Sequence, residues 1–199
     1  MVKQAVVLAA GKGERLYPLT SSRPKVMLPI GNKPILQYVV EALRANDIEE
    51  IIIVVGYFRE QIQDYFGSGE RFGLRIRYAH QEHQLGTGHA LLCAEKLTQD
   101  KFLVLPGDNV IDAITLREIV NSTQDTILVK EDIQGHRYGV VVIQNGLVQT
   151  MTEKPQEQLS PWINTGTYLL HRTVFDHLGD ELNLPSALNQ MIHDGGVVA

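Results

Sequence analysis

The stretch Gln4–Arg15, QAVVLAAGKGER, decides the fold class, because a short apolar run passes directly into a loop that contains two glycines. Its first six residues predict a buried strand, since the apolar run has strand length. Gly11 and Gly13 carry no Cβ atom, so backbone N–H groups near them can approach an anion closely. From Ile35 onward the apolar residues recur on one helical face. The order of strand, glycine loop and helix favours an α/β protein.

Further strands and helices alternate along the first half of the chain. Strands are predicted at 50–55, 74–79 and 102–105, and helices at 58–66 and 87–97. This alternation is typical of a mostly parallel sheet with helices on both faces.

The second half of the chain has a different pattern. Tyr138–Gln144 and Leu147–Thr152 flank Asn145-Gly146, which predicts an antiparallel hairpin. Trp162–His171 predicts another strand, and helical stretches are predicted near 173–178 and 185–194. The fold class predicted is therefore α/β, with a mixed, mostly parallel sheet in a single domain over residues 1–199.

Composition limits the classes of function. The chain has 199 residues, of which 44% are hydrophobic and 21% charged, enough for one sizeable core. Its net charge of −5 argues against a nucleic-acid partner. The lone Cys93 excludes an internal disulfide and a four-cysteine zinc site. Since no apolar run approaches the ~20 residues of a membrane span and no signal sequence is apparent, we expect a cytoplasmic protein without a membrane partner.

Two familiar phosphate-binding motifs do not fit the glycine loop. The dinucleotide fingerprint requires a third glycine where Leu16 stands, so a nicotinamide oxidoreductase is a remote alternative. The P-loop requires Ser or Thr directly after Gly11-Lys12, where Gly13 stands. The loop by itself is equally consistent with an ordinary glycine-rich turn.

Two cations in the same segment favour an anionic ligand. Arg15 provides a planar, multidentate guanidinium, and Lys25 provides a movable point charge. Together with exposed backbone N–H groups, they suit a triphosphate. The alternative for either cation alone is a solvated surface charge.

Polar residues follow two later strands. The amide of Gln81 can pair with a pyrimidine edge, and backbone near Gly86 can add a contact; the alternative is a strand–helix turn with Thr87 as N-cap. Asp108 follows the strand at 102–105, where a carboxylate can bind magnesium, although a turn aspartate is equally common. The spacing of His80, His83 and His89 does not match a familiar zinc site.

Two longer stretches carry a family resemblance. Residues 8–36, LAAGKGERLYPLTSSRPKVMLPIGNKPIL, resemble the signature of sugar-1-phosphate nucleotidyltransferases, also called nucleotide-sugar pyrophosphorylases. Residues 85–90, LGTGHA, are similar to the base loop of N-acetylglucosamine-1-phosphate uridylyltransferases. The resemblance implies a Rossmann-like fold, Mg²⁺ as cofactor, and transfer of UMP or dTMP from UTP or dTTP to a sugar 1-phosphate with release of pyrophosphate.

The resemblance also implies a role for each matching residue. Arg15 holds the departing pyrophosphate, Lys25 binds phosphate at the reacting centre, and Asp108 binds the metal. The nucleotide-binding set is Leu8, Ala9, Ala10, Gly11, Gly13, Gln81, Gly86 and Thr87. The sugar-phosphate set is Gly139, Glu153, Lys154 and Asn164. Family members carry a second metal-binding Asp or Asn beyond the last helix, a role that no residue of this sequence receives.

The proposed chemistry requires few residues. A phosphate monoester has a second pKa of about 6, so the attacking oxygen is ionised near neutral pH and needs no general base. Accordingly, the sequence contains no convincing Ser-His-Asp or Cys-His set. A uridylyltransferase is favoured over a thymidylyltransferase. The alternative function is that of a truncated or degenerate family member, which binds nucleotide or nucleotide-sugar without turnover. A homo-oligomer is a possible assembly.

Overall fold

The computed structural model describes residues 2–132, 138–157, 159–178, 182–196 and 198–199. The strands are β1 (Gln4–Ala9), β2 (Pro29–Ile30), β3 (Lys33–Pro34), β4 (Glu50–Val55), β5 (Arg75–His80), β6 (Lys101–Pro106), β7 (Thr126–Glu131), β8 (Gly139–Gln144), β9 (Leu147–Glu153) and β10 (Trp162–His171). The α-helices are α1 (Ile35–Arg44), α2 (Arg59–Phe66), α3 (Thr87–Cys93), α4 (Ala113–Val120) and α5 (Leu184–His193). Short 3₁₀ turns include Glu14–Leu16, Lys25–Met27, Glu95–Leu97 and Arg172–His177.

Eight strands form one mixed sheet in the order β5-β4-β1-β6-β10-β8-β9, with β7 paired to β10. The strands β5, β4, β1 and β6 run parallel, whereas β10 is antiparallel to β6, β7 and β8. β8 and β9 form the hairpin predicted around Asn145-Gly146. The mixed sheet and the hairpin are therefore confirmed.

Side chains of the central strands alternate between two apolar cores. Ala5 and Val7 of β1 pack in the core that contains residues of α1, α2 and α4. Val6 packs in the core that contains residues of α3 and α5. Helices therefore cover both faces of the sheet, as predicted from the alternation of strands and helices along the first half of the chain. Among the described residues, no helix is long and apolar enough to span a membrane.

Two elements between residues 110 and 131 were not predicted. Helix α4 begins after Asp112, whose carboxylate accepts hydrogen bonds from the backbone of Ile114 and Thr115, both at 2.9 Å. Strand β7 then pairs with β10, and the register shifts between Asn164 and Thr167. Asp112 before an apolar-periodic segment was an available helix signal.

Several predicted boundaries were wrong in detail. Helix α2 begins at Arg59 because Phe58 adopts a left-handed conformation, with φ of 52°. The helix predicted at 87–97 ends at Cys93 and continues as a 3₁₀ turn. The segment near 173–178 is a 3₁₀ helix rather than an α-helix.

A buried polar pair lies at the amino ends of the parallel strands. Gln4 and Glu50 are 0% and 4% exposed, and Gln4 Nε2 donates to Glu50 Oε2 at 2.7 Å. Gln4 Oε1 accepts from the backbone of Gln99 at 2.7 Å, and Arg75 Nε lies 3.1 Å from Glu50 Oε1. The pair links β1 to β4 and to the segment before β6, at the end of the sheet away from the glycine loop.

Gln4→Ala is expected to lower the free energy of unfolding by about 2–4 kcal/mol, because Glu50 would lose a buried hydrogen-bond donor. Urea denaturation measures the change. Lys3→Ala is the control, since the exposed Lys3–Glu49 pair contributes at most about 1 kcal/mol. Equal midpoints for Gln4→Ala and wild type would contradict this account of Glu50.

Candidate active site

A cleft of about 1430 Å³ lies at the carboxyl ends of the four parallel strands. The strand ends are level, because Ala9 is opposite Val55, Val55 is opposite His80, and Leu8 is opposite Pro106. Ligands of open α/β sheets bind at this edge. Predicted site residues that line the cleft are Leu8, Ala9, Ala10, Gly11, Gly13, Arg15, Lys25, Gln81, Gly86, Thr87 and Asp108.

The glycine loop packs against the segment that carries Lys25. Gly13 has a φ of 66°, and a Cβ atom there would lie 2.9 Å from the Cβ of Lys25. Thr20, only 4% exposed, donates its hydroxyl to the carbonyl of Gly13 at 3.0 Å. These contacts hold residues 13–25 as one unit, so the positions of Arg15 and Lys25 are coupled to the loop.

Lys25 and Asp108 form an ion pair across the cleft. Lys25 Nζ lies 2.6 Å from Asp108 Oδ2, and both side chains are about one-third exposed, at 37% and 35%. The turn that carries Asp108 is held against β1 because Gly107 donates its N–H to the carbonyl of Leu8 at 2.8 Å. Lys25, predicted to bind phosphate, and Asp108, predicted to bind the metal, are therefore in direct contact.

Residues after β4 also line the cleft and were not predicted. A Cβ atom on Gly56 would lie 2.9 Å from both the Ala10 carbonyl oxygen and Gln84 Nε2. Tyr57 and Arg59 follow on the same wall of the cleft. Gly56 ends an apolar run in the sequence, which was the available signal for a close backbone approach.

Gln81 is nearly enclosed, at 4% exposure, beside residues 85–90, the predicted base loop. Its Nε2 lies 3.2 Å from the carbonyl oxygen of Gly86 and 2.9 Å from Nδ1 of His89. The amide nitrogen is therefore held by two acceptors of the protein, while the residue lines the cleft. His89 was not among the predicted site residues.

The start of α3 is held by the segment before α5. Gly88 and His89 both donate their N–H groups to the carbonyl of Leu182, at 2.9 and 3.3 Å. The hydroxyl of Thr87 donates to Asn183 Oδ1 at 3.3 Å and accepts from Leu184 N at 3.1 Å. The alternative reading of Thr87 as a helix N-cap is wrong, because the N-cap is Gly86 and Thr87 is the first helical residue.

Three of the predicted sugar-side residues lie together, one on each of three strands. A Cβ atom on Gly139 would lie 2.9 Å from Glu153 Oε2 and 3.5 Å from the Cβ of Asn164. Lys154 is 61% exposed, and its Nζ lies 3.9 Å from Glu153 Oε1. The cluster provides a carboxylate, an amide and an ammonium, which suits a polyhydroxylated phosphate ester.

Asn164 is fixed by Tyr168. Asn164 Nδ2 donates to the hydroxyl oxygen of Tyr168 at 2.6 Å, and Asn164 Oδ1 accepts from Gly166 N at 2.7 Å. Burial raises the pKa of Tyr168 to about 12; the Asn164 hydrogen bond opposes this shift, and the charge of Glu153 adds to it. The phenol is thus neutral near pH 7, with a locked amide beside it.

The sugar-side cluster adjoins the turn that carries Asp108. Asn109 Nδ2 donates to the carbonyl of Thr165 at 3.2 Å, and a Cβ atom on Gly166 would lie 3.4 Å from Pro106 Cγ. The predicted nucleotide, metal and sugar residues thus lie on neighbouring parts of one sheet edge. Their individual roles remain predictions.

The acidic groups of the site are few. No cluster of three or more His, Cys, Asp or Glu side chains with metal-binding geometry occurs in the part of the chain that the structure describes. Asp108 provides one hard oxygen ligand, which fits Mg²⁺, an ion usually held by one or two carboxylates, phosphate oxygens and water.

The fold and the cleft define a class, α/β proteins whose ligand-binding clefts lie at the carboxyl ends of parallel strands. The nucleotidyl transferase family pattern matches residues 4–195, and the chain belongs to that family.

Curated relatives and a solved structure agree with this family. The chain is 40% identical to the bifunctional protein GlmU of Methanococcus maripaludis, over 96% of this chain and 47% of that protein. It is 35% identical to the UTP–glucose-1-phosphate uridylyltransferase AglF of Haloferax volcanii, over 98% of this chain and 86% of that protein. A Bacillus anthracis crystal structure described as a glucose-1-phosphate thymidylyltransferase with sucrose superposes with a TM-score of 0.89 at 30% identity, covering 100% of this chain and 85% of that one. The chain spans about half the length of the GlmU relatives it matches.

Proposed function

We propose that the protein transfers a nucleotidyl group from a nucleoside triphosphate to a sugar 1-phosphate, which yields a nucleotide-sugar and pyrophosphate. The observation that carries the proposal is the cleft itself. It collects Arg15, Lys25, Gln81 and Asp108, from three separate segments, at one sheet edge. Membership of the nucleotidyl transferase family supports this reading over a protein that only binds nucleotide.

The reaction joins two anions that repel each other. An oxygen of the sugar 1-phosphate attacks the α-phosphorus, and the bond from this phosphorus to the β-phosphate bridging oxygen breaks. No proton transfer by a side chain is needed, because the attacking phosphate is ionised near neutral pH. The contribution of the protein is positioning and charge neutralisation, which we assign to Arg15, Lys25 and the glycine-loop N–H groups.

Mg²⁺ is the proposed cofactor, with Asp108 as its protein ligand. When bound, the ion would neutralise phosphate charge and act as a template for the two substrates. Asp108 is paired with Lys25 in the protein alone. We propose that substrate binding separates this pair, so that Lys25 contacts phosphate while Asp108 turns to the metal.

UTP is the proposed nucleotide, with dTTP as its competitor. The similarity of residues 85–90 to uridylyltransferase base loops favours uracil, and the AglF relative is named for UTP. The solved structure described as a thymidylyltransferase is the reason to test dTTP as well. Uracil and thymine differ by one methyl group, which provides only ~10–200-fold discrimination. For the sugar we propose N-acetylglucosamine 1-phosphate or glucose 1-phosphate, bound by Gly139, Glu153, Lys154 and Asn164.

A pyrophosphate-release assay tests the function. The purified chain is incubated with Mg²⁺, with UTP or dTTP, and with each sugar 1-phosphate in turn; we expect release that requires both substrates. EDTA and omission of the sugar phosphate are the controls. Saturable nucleotide binding without release under any of these conditions would favour the binding-only alternative.

Tyr168→Phe is expected to raise the KM for sugar 1-phosphate about tenfold, because Asn164 Nδ2 loses its acceptor and the amide is no longer locked. The KM for the nucleotide should not change. Steady-state kinetics with each substrate varied separately measure both constants. An unchanged KM for the sugar phosphate would contradict the proposal that the locked Asn164 amide binds the sugar.

A further inference from the structure

Gln81 is confined between two hydrogen-bond partners. Its Nε2 lies 3.2 Å from the Gly86 carbonyl oxygen and 2.9 Å from Nδ1 of His89. The Gly86 carbonyl only accepts hydrogen bonds, so the nitrogen of the amide, not its oxygen, must face it. The Gly86 carbonyl therefore favours the orientation in which the amide nitrogen, rather than the amide oxygen, points toward it.

The orientation of Gln81 determines the tautomer of His89. Because Gln81 Nε2 only donates, Nδ1 of His89 must accept, and the proton of the neutral imidazole lies on its Nε2. The Gly86 peptide is itself fixed, since a Cβ atom on this residue would lie 2.2 Å from the Leu182 carbonyl oxygen. Two acceptors held by separate contacts thus converge on one amide nitrogen.

This arrangement leaves Gln81 Oε1 as the free group of the amide. Among the described residues it has no hydrogen-bond partner, and it is not fully enclosed. Gln81 lines the cleft. An acceptor at this position is complementary to the N3–H of uracil or thymine, whereas N3 of cytosine is itself an acceptor and its 4-amino group a donor.

We infer that His89 is a positioning residue that, together with the Gly86 carbonyl, holds the Gln81 amide with its oxygen toward the base and thereby helps the site to reject cytosine. The inference rests on the proposed function, in which Gln81 contacts the base. Without the His89 acceptor, only the Gly86 carbonyl holds the amide nitrogen. Rotation of the amide would then present a donor to the base, as cytosine requires.

Equilibrium binding of UTP and CTP to the whole chain, measured by isothermal titration calorimetry with Mg²⁺, tests the inference. We expect wild type to prefer UTP. His89→Ala and His89→Leu should reduce the ratio of UTP to CTP affinity by about tenfold or more, because one of the two hydrogen bonds that orient the amide is lost. His89→Asn should retain the ratio, since its amide oxygen can replace Nδ1 as acceptor.

Two controls separate this inference from the proposed function. His193→Ala removes an exposed histidine from the end of α5 and should leave the ratio unchanged. Gln81→Ala should abolish the preference. If Gln81→Ala loses the preference while folded His89→Ala and His89→Leu retain it, the inference about His89 is overturned and the base role of Gln81 stands.

The remaining outcomes are equally decisive. Loss of the ratio in His89→Asn to the same extent as in His89→Leu would show that His89 acts by packing alone, which overturns the inference. A wild-type protein without preference for UTP, or a Gln81→Ala variant that keeps the preference, would overturn the inference and the proposed base site together. Thermal unfolding of each variant establishes that the compared proteins are folded.

Discussion

Replacing Lys25 by alanine is expected to slow pyrophosphate release about 10²–10³-fold, the effect of removing one electrostatic donor from a site where charge is transferred. The ammonium lies at the junction of the glycine loop and the Asp108 turn, 2.6 Å from the carboxylate. No other group is needed to activate the attacking phosphate, so loss of this charge falls directly on the chemical step. Arg15→Ala should have an effect of similar size if it holds the departing pyrophosphate.

Stability separates a chemical role of Lys25 from a structural one. The Lys25–Asp108 pair is about one-third exposed, and such pairs contribute roughly 0–1 kcal/mol. Both Lys25→Ala and Arg15→Ala should therefore unfold at nearly the wild-type urea midpoint. Lys3→Ala, at the opposite edge of the sheet, is the matched control for loss of a positive charge. Wild-type release from Lys25→Ala and Arg15→Ala would show that the phosphate loop is assigned wrongly.

Gly86→Ala is expected to be the most damaging single substitution in the base loop. Gly86 has φ of 141° and ψ of 176°, a conformation essentially restricted to glycine. The new Cβ atom would lie 2.2 Å from the backbone oxygen of Leu182, which no side-chain rotation can relieve. Because the Gly86 carbonyl also holds Gln81, we expect a loss of at least about 2–3 kcal/mol in unfolding free energy and a large loss of UTP affinity.

Gly67→Ala is the control for Gly86→Ala. Gly67 also has a positive φ, 55°, but a Cβ atom there would meet nothing within 4 Å. Its φ of 55° and ψ of −137° lie outside the left-handed helical region, so Gly67→Ala should lose about 1–3 kcal/mol of stability through backbone strain but keep its UTP affinity. Urea denaturation and calorimetry measure both quantities. Equal effects of the two substitutions would show that the Leu182 contact is not what makes Gly86 necessary.

Local sequence patterns were sufficient for much of the sheet. The apolar runs of β1, β4 and β6 and the Asn145-Gly146 turn predicted strands at nearly their observed bounds, because each is determined by near neighbours. Strand β7 was missed because its side chains are only partly buried, unlike those of β1, β4 and β6. Its stability depends on pairing with β10, more than 30 residues later. Nothing local to Thr126–Glu131 specifies that partner.

The candidate site, like the sheet, could be predicted where it depends on neighbouring residues and not where it depends on distant ones. Residues of the glycine loop were found from their own segment, and the level strand ends place Asp108 beside them. The ion pair of Asp108 with Lys25, the wall at Gly56 and the anchoring of Thr87 by Asn183 join distant segments. Such contacts depend on how helices and loops pack around the sheet, which spacing along the chain does not determine.

The Leu182 carbonyl has a practical consequence for protein engineering. It accepts hydrogen bonds from the first turn of α3 and packs closely against Gly86. The backbone conformation of the base loop therefore depends on a segment that lies almost 100 residues later in the sequence. In a mutant library randomised only at residues 81–90, the contact with Leu182 would still restrict the backbone of the loop and so limit the nucleobase preferences that can be found. Randomising residues 182–184 in the same library would allow this backbone to change position.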